Sequence, residues 1–129
     1  MSASVFRLSR PAEAELDDIL DWSEARFHEV GRQRYAALLV QAMRDLADDP
    51  QRDGIEWVGT LGTRVGVYHA WHSRNNASDP AERVHEPRHS VIFRVADDGV
   101  VDILGFVHDT MLRGRALRRI VRGNALNFH

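Results

Sequence analysis

A chain of 129 residues with 43% hydrophobic and 28% charged side chains has the composition of one soluble domain, long enough to bury about two thirds of its surface unaided. It has no cysteine, which excludes a disulfide framework and a thiolate zinc site; no apolar run nears the roughly 18 residues of a membrane span and no signal-peptide core opens the chain, so a cytoplasmic location is expected. The formal charge of −2 hides ten acidic against six basic side chains in residues 1–50 and nine against eleven after them, every basic one an arginine. That imbalance is too mild for a direct nucleic-acid binder but suits bidentate grips on carboxylate or phosphate.

Residues 5–9 alternate as a short strand that would join a sheet. Pro11 suits a first helical position, where its missing N–H costs nothing. Leu16, Ile19, Leu20, Ser23 and Phe27 then fall on one helical stripe, while Glu13, Glu15, Asp17, Asp18 and Asp21 load the early turns with charge that the helix dipole favours. Val30 and Gly31 should break this helix. Tyr35, Leu38, Leu39, Ala42 and Leu46 repeat the spacing up to Asp48, Asp49 and Pro50, which predicts a second helix folded back antiparallel on the first. Residues 51–63 read as a glycine-spaced loop with Trp57 as a lid, residues 63–71 as a strand, and residues 72–86 as a polar, mobile connection.

Residues 87–111, PRHSVIFRVADDGVVDILGFVHDTM, write a hairpin: two apolar-rich runs, 88–96 and 100–108, around Asp97, Asp98 and Gly99. Counting outward from Ala96 opposite Val100 gives two unlike faces. Val91, Phe93, Val95, Val101, Ile103 and Gly105, with His89 and Val107 at the far end, make an apolar face for the helices to cover. Ser90, Ile92, Leu104 and Phe106 share the other face with Arg94 opposite Asp102, and with Arg88 directly opposite His108, so this mixed face is expected to meet water or a partner. Asp109 is placed to cap a last helix over residues 110–123, with Leu112, Ala116 and Ile120 on one side and Arg115, Arg118, Arg119 and Arg122 as a basic stripe. The expected fold is one α+β domain: an N-terminal strand, an antiparallel two-helix hairpin on one face of an antiparallel sheet built on a C-terminal meander, and a short C-terminal helix.

Arg88 and His108, with Arg64 or Tyr68 near them, read either as a phosphate or carboxylate grip with a titratable neighbour, or as a hydrogen-bonded end to the hairpin. Arg94 with Asp102 reads as a cross-strand ion pair. His69, His72, His85 and His89 invite a metal, but positions 69 and 72 on a strand point to opposite faces and no HExxH helix is present, so no metal or cofactor is expected. Without a cysteine, a Ser90-based triad or a glycine-rich phosphate loop, covalent catalysis and nucleotide hydrolysis have no support.

The segments SRPAEAELDDILDW and RYAALLVQAMRDLADDP, followed by PRHSVIFRV and VDILGFVHDTM, resemble the RelE/ParE toxin superfamily of type II toxin-antitoxin systems, and its ParE branch in particular. The resemblance covers residues 5 to about 117. It departs at Gly105, where many relatives carry Arg, and in the longer stretch 70–86. It implies a non-enzymatic toxin that poisons DNA gyrase and is neutralised by a ParD-like antitoxin, through which alone it would reach DNA, in a complex of two or more chains. Arg64, Tyr68, Arg88, His108, Arg115, Arg118, Arg119 and Arg122 are the residues expected to contact target or antitoxin. The RelE branch implies instead a metal-independent, ribosome-dependent mRNA endonuclease, for which Arg88, His89, Arg94 and His108 would be the catalytic set. A chain that binds antitoxin without toxicity is the third reading.

Overall fold

The computed structural model describes residues 5–76, 83–84 and 86–124. Its architecture is α+β: one long helix, a five-stranded mixed sheet and a short C-terminal helix. Strand β1 (Phe6–Leu8) leads into helix α1 (Arg10–Asp48), followed by β2 (Ile55–Thr60), β3 (Thr63–His69), a 3-10 turn over Ala70–Asn76, β4 (His89–Val95), β5 (Val101–His108) and α2 (Arg113–Gly123). The sheet order is β1-β5-β4-β3-β2, with β1 parallel to β5 and the other neighbours antiparallel. The parallel pairing of β1 makes the sheet mixed rather than purely antiparallel. Arg7 fixes it: its guanidinium reaches Asp102 at 2.6 Å and Asp98 at 2.9 Å, so Asp102 serves β1 as well as Arg94, which it meets at 3.3 Å.

Ser9 caps α1 by accepting the Ala12 N–H at 3.2 Å. The helical element runs on through Val30 and Gly31, and its break lies at His28, whose φ of 62° and ψ of −168° leave the helical region. Across this kink the Ser23 hydroxyl donates to the Gly31 carbonyl at 3.2 Å and Arg32 meets Asp21 at 2.8 Å. A straight helix, rising about 1.5 Å per residue, would hold those pairs roughly 12 to 16 Å apart. The axis therefore turns sharply at His28. Gly31 is used for close approach, since a Cβ there would collide with the Phe27 side chain.

Residues 55–60, expected as loop, form strand β2. The turn that pairs it with β3 is Leu61-Gly62, with φ of 49° and 76°, the two-residue left-handed hairpin turn that asparagine and glycine usually announce. Trp57 is a strand residue rather than a lid, and packs edge-on against Phe93 at 5.3 Å between ring centroids.

The hairpin register holds from Val95 opposite Val101 to Phe93 opposite Ile103 and then slips, so that Ile92 faces Gly105 and His89 faces His108. Leu104 is the extra residue of a β-bulge. Consequently Arg88 is not directly opposite His108, and beyond the bulge the faces of β5 exchange: Phe106 joins the core under α1, and Val107 joins the opposite side. Both helices satisfy the backbone groups the bulge frees. Glu15 of α1 accepts the Phe106 N–H at 3.0 Å, and Asn124 at the end of α2 donates to the Leu104 carbonyl at 2.9 Å.

Two cores result. Leu38, Leu39, Ala42, Met43 and Leu46 of α1 pack with Tyr68, Val91, Phe93, Ile103 and Phe106 on one sheet face. Ala116, Leu117, Ile120 and Val121 of α2 cover Val65, Val67, Ile92, Leu104 and Val107 on the other, so the face expected to be open is closed in this part by α2. Leu112 precedes α2 and is exposed, and Asp109 does not cap that helix. Phe27, expected in the core stripe, is exposed at the kink, and Leu16 is only partly buried. The stretch 72–86 opens with the 3-10 turn, which Asp45 anchors by accepting from Ser73 at 2.6 Å and Asn76 at 2.9 Å; residues 77–82 and 85 lie outside the described residues.

Candidate functional site

The end of the sheet that carries His89 and His108 is built from three elements. Tyr35 of α1 accepts the Arg88 N–H at 2.9 Å and directs its hydroxyl to His89 Nδ1 at 2.6 Å. Trp22, Tyr35 and His108 surround the His89 ring edge-on, at centroid distances of 5.5, 5.5 and 4.9 Å. Burial, and then the neighbouring His108, push His89 down to about 4, while burial pushes Tyr35 up to about 12. At neutral pH the pair is therefore an uncharged hydrogen-bonded lock.

The imidazoles of His69, His108 and His72 are also engaged. Trp71 N–H donates to His69 Nδ1 at 3.1 Å, which leaves the Nε2 proton for Asp109 at 3.0 Å. His108 Nδ1 accepts the Thr110 N–H at 3.1 Å. His72 stacks on Tyr68 at 5.5 Å. Because β3 ends at His69 and a 3-10 turn begins, His69 and His72 do not point apart as expected but line one cavity of about 330 Å³ with His108 and Arg113. Among the described residues no three potential ligands converge on a metal position, and His85 lies outside those residues.

A larger groove, about 1160 Å³, runs from the α1 kink to the start of β4, between Trp22, Phe27 and Val30 on one side and Val84, Arg88 and His108 on the other. It brings Arg88 and His108 together as lining residues, although their strand positions are offset by one. Arg88 reaches Glu86 at 3.0 Å. Other sequence candidates lie elsewhere. Arg64 sits over the Trp57 ring at 4.3 Å, at the opposite end of β3 from His69. Tyr68 is fully buried and donates to Ser73 at 2.8 Å, which in turn donates to Asp45, so it presents no surface. Arg94 is paired near the hairpin loop, six positions along β4 from Arg88, so Arg88, His89, Arg94 and His108 do not form one constellation. Trp22 and Tyr35 are the residues that sequence reasoning missed; Tyr35 reads as a core aliphatic-stripe position, and its hydroxyl is the signal that it needs a polar partner.

On the far side of the sheet, Arg115, Arg118, Arg119 and Arg122 are all exposed along α2, and among the described residues none of them forms an ion pair. Arg113, one turn earlier, is held by Glu56 at 2.9 Å. No helix among the described residues is long and apolar enough to cross a membrane.

Residues 6–113 match the family model described as "ParE toxin of type II toxin-antitoxin system, parDE". No curated protein matches the chain.

Proposed function

Because the chain belongs to the ParE toxin family of type II toxin-antitoxin systems, we propose that it inhibits DNA gyrase by binding, without catalysis, and that a cognate ParD-like antitoxin neutralises it in the cytoplasm. The single observation that carries this reading is the α2 face. Four exposed arginines there form no ion pair among the described residues, Arg119 alone lying within electrostatic reach of a carboxylate, that of Glu15, in a chain whose net charge is −2. Such a face is an electrostatic footprint for an acidic or nucleic-acid-bound surface. Binding rather than catalysis is supported by the distance of Arg94 from Arg88 along β4, which keeps Arg88, His89, Arg94 and His108 from surrounding one phosphate.

The purified chain is tested in gyrase supercoiling and cleavage-complex assays beside an in vitro translation assay. Inhibited supercoiling with untouched translation is the expected result; the reverse would replace it with the ribosome-dependent endonuclease. Growth arrest on expression without antitoxin, relieved by the neighbouring frame, separates both from a non-toxic binding partner. Added antitoxin raises the melting temperature in a concentration-dependent way, as for any ligand that binds only the folded state.

A further inference from the structure

Every side chain that α2 turns to solvent is an arginine. Arg113, Arg115, Arg118, Arg119 and Arg122 are exposed, the other exposed positions of the helix are Gly114 and Gly123, and its remaining residues are buried against the sheet. Arg113 is held by Glu56, and Arg119 lies within electrostatic reach of Glu15. Arg115, Arg118 and Arg122, at i, i+3 and i+7, form one row opposite the buried Ala116, Leu117, Ile120 and Val121. The sequence holds no Asp or Glu from residue 110 onward. A Cβ at Gly114 or Gly123 would meet nothing within 4 Å, so packing inside the molecule requires neither glycine, and both let a partner's backbone come close to the helix.

An acidic protein and the backbone of a nucleic acid both carry the charge this row attracts, and they ask for different surfaces. A protein partner draws most of its affinity from a few aromatic or aliphatic anchors. The exposed face of α2 offers none, and the nearest exposed apolar side chains, Met111 and Leu112, precede the helix. A phosphate backbone asks only for cationic donors at close range. The row spans about 10 Å along the helix axis, and a duplex presents roughly six phosphate charges over that length. Glu13, Asp17 and Asp18 are exposed on α1, across the sheet from α2, so a polyanion is repelled from that side and steered to this one. The net charge of −2 keeps the isolated chain from gripping DNA tightly, so the contact forms where another protein presents the duplex.

We propose that Arg115, Arg118 and Arg122 bind backbone phosphates of the DNA segment that gyrase holds, so that the chain engages enzyme and duplex together. The proposal rests on the gyrase reading above and names DNA, rather than the enzyme's own surface, as what the α2 face touches.

The test uses the full chain, fluorescently labelled, and measures by anisotropy its affinity for gyrase holoenzyme alone and for gyrase loaded with a duplex of either of two unrelated sequences. Loading should tighten binding at least tenfold and equally for both sequences. With three phosphate contacts, the tightening should fall with a log-log salt slope of about −2.7. Arg118→Gln combined with Arg122→Gln should remove most of the tightening and bring the slope to about −0.9, the value for one remaining contact. Arg10→Gln combined with Arg44→Gln, which takes the same charge from exposed positions of α1, should leave tightening and slope as they are, and unchanged melting temperatures show that the variants fold. If DNA alters the affinity of the wild-type chain for gyrase by less than twofold, the proposal fails while the gyrase reading stands. An α2 variant that loses as much affinity for DNA-free gyrase as for the loaded enzyme gives the face to an acidic protein surface and overturns the proposal. Tightening confined to one of the two sequences shows that bases are read and overturns the phosphate assignment. No binding to gyrase with or without DNA overturns the gyrase reading and the proposal with it.

Discussion

The Tyr35 hydroxyl lies 2.6 Å from His89 Nδ1 and also takes the Arg88 N–H, so one side chain of α1 fixes both the imidazole and the backbone where β4 begins. Removing that oxygen leaves a ring nitrogen and an amide unsatisfied in a buried place. Tyr35→Phe keeps the ring contacts with Trp22 and His89 and should lower stability by about 1 to 3 kcal/mol. Urea unfolding gives the number directly, and a loss under half a kilocalorie would mean that the hydroxyl is not part of the lock.

The same pair sets a pH dependence. His89 is depressed to about 4 from its ordinary 6.5, so between those values the unfolded chain binds a proton that the folded chain refuses. Stability is therefore unaffected above about pH 6.5 and falls as pH drops from there toward 4, by about 2 kcal/mol at pH 5. Glu15 acts in the opposite sense. Burial raises it above 4.5, so its share of stability is larger at acid pH and fades as pH rises through its folded value. Comparing wild type with His89→Gln at pH 7.5 and pH 5 isolates the histidine: the wild type should lose more on acidification, and equal losses would show that His89 titrates normally.

Gly105 sits under both helices. A Cβ there would meet Glu15 Oε1 at 3.1 Å and Ile120 Cδ1 at 3.2 Å, so a long side chain in its place crowds both helices while α2 is docked on the sheet. Gly105→Arg should cost about 1 to 3 kcal/mol through this overpacking and through displacement of Glu15 from the Phe106 N–H. A thermal melt reads it as a drop of several degrees. An unchanged melting temperature would show that α2 yields to the larger side chain.

Much of this was legible in the sequence, and the misses share a physical form. The α1 stripe from Leu38 to Leu46 and the amphipathic helix α2 follow from periodicity within one element, and the pairing of Arg94 with Asp102 follows from a count across a short hairpin loop. Strand β2 was missed because its turn uses Leu61 at positive φ, a conformation that leucine seldom advertises. The bulge at Leu104 was missed because nothing in VDILGFVH marks it locally; it is fixed by Glu15 and Asn124, which are distant in sequence. One inserted residue then moved His108 from Arg88 to His89 and sent Phe106 and Val107 to opposite cores.

The α2 arginines give the sharpest separation of folding from function. Arg118 and Arg122 are exposed, one turn apart, while Leu117, Ile120 and Val121 carry the packing of the helix. Reversing both arginines to glutamate therefore changes the field over that face by four units of charge without touching the core. Stability should move by no more than about half a kilocalorie, the usual range for surface changes, whereas gyrase inhibition should weaken at least tenfold and lose much of its sensitivity to salt. Circular dichroism melts beside supercoiling titrations at two salt concentrations measure both quantities. If the double reversal inhibits gyrase as well as wild type does, the contact surface lies off α2; if it unfolds the chain, Arg118 and Arg122 hold the helix in place and the basic face is structural.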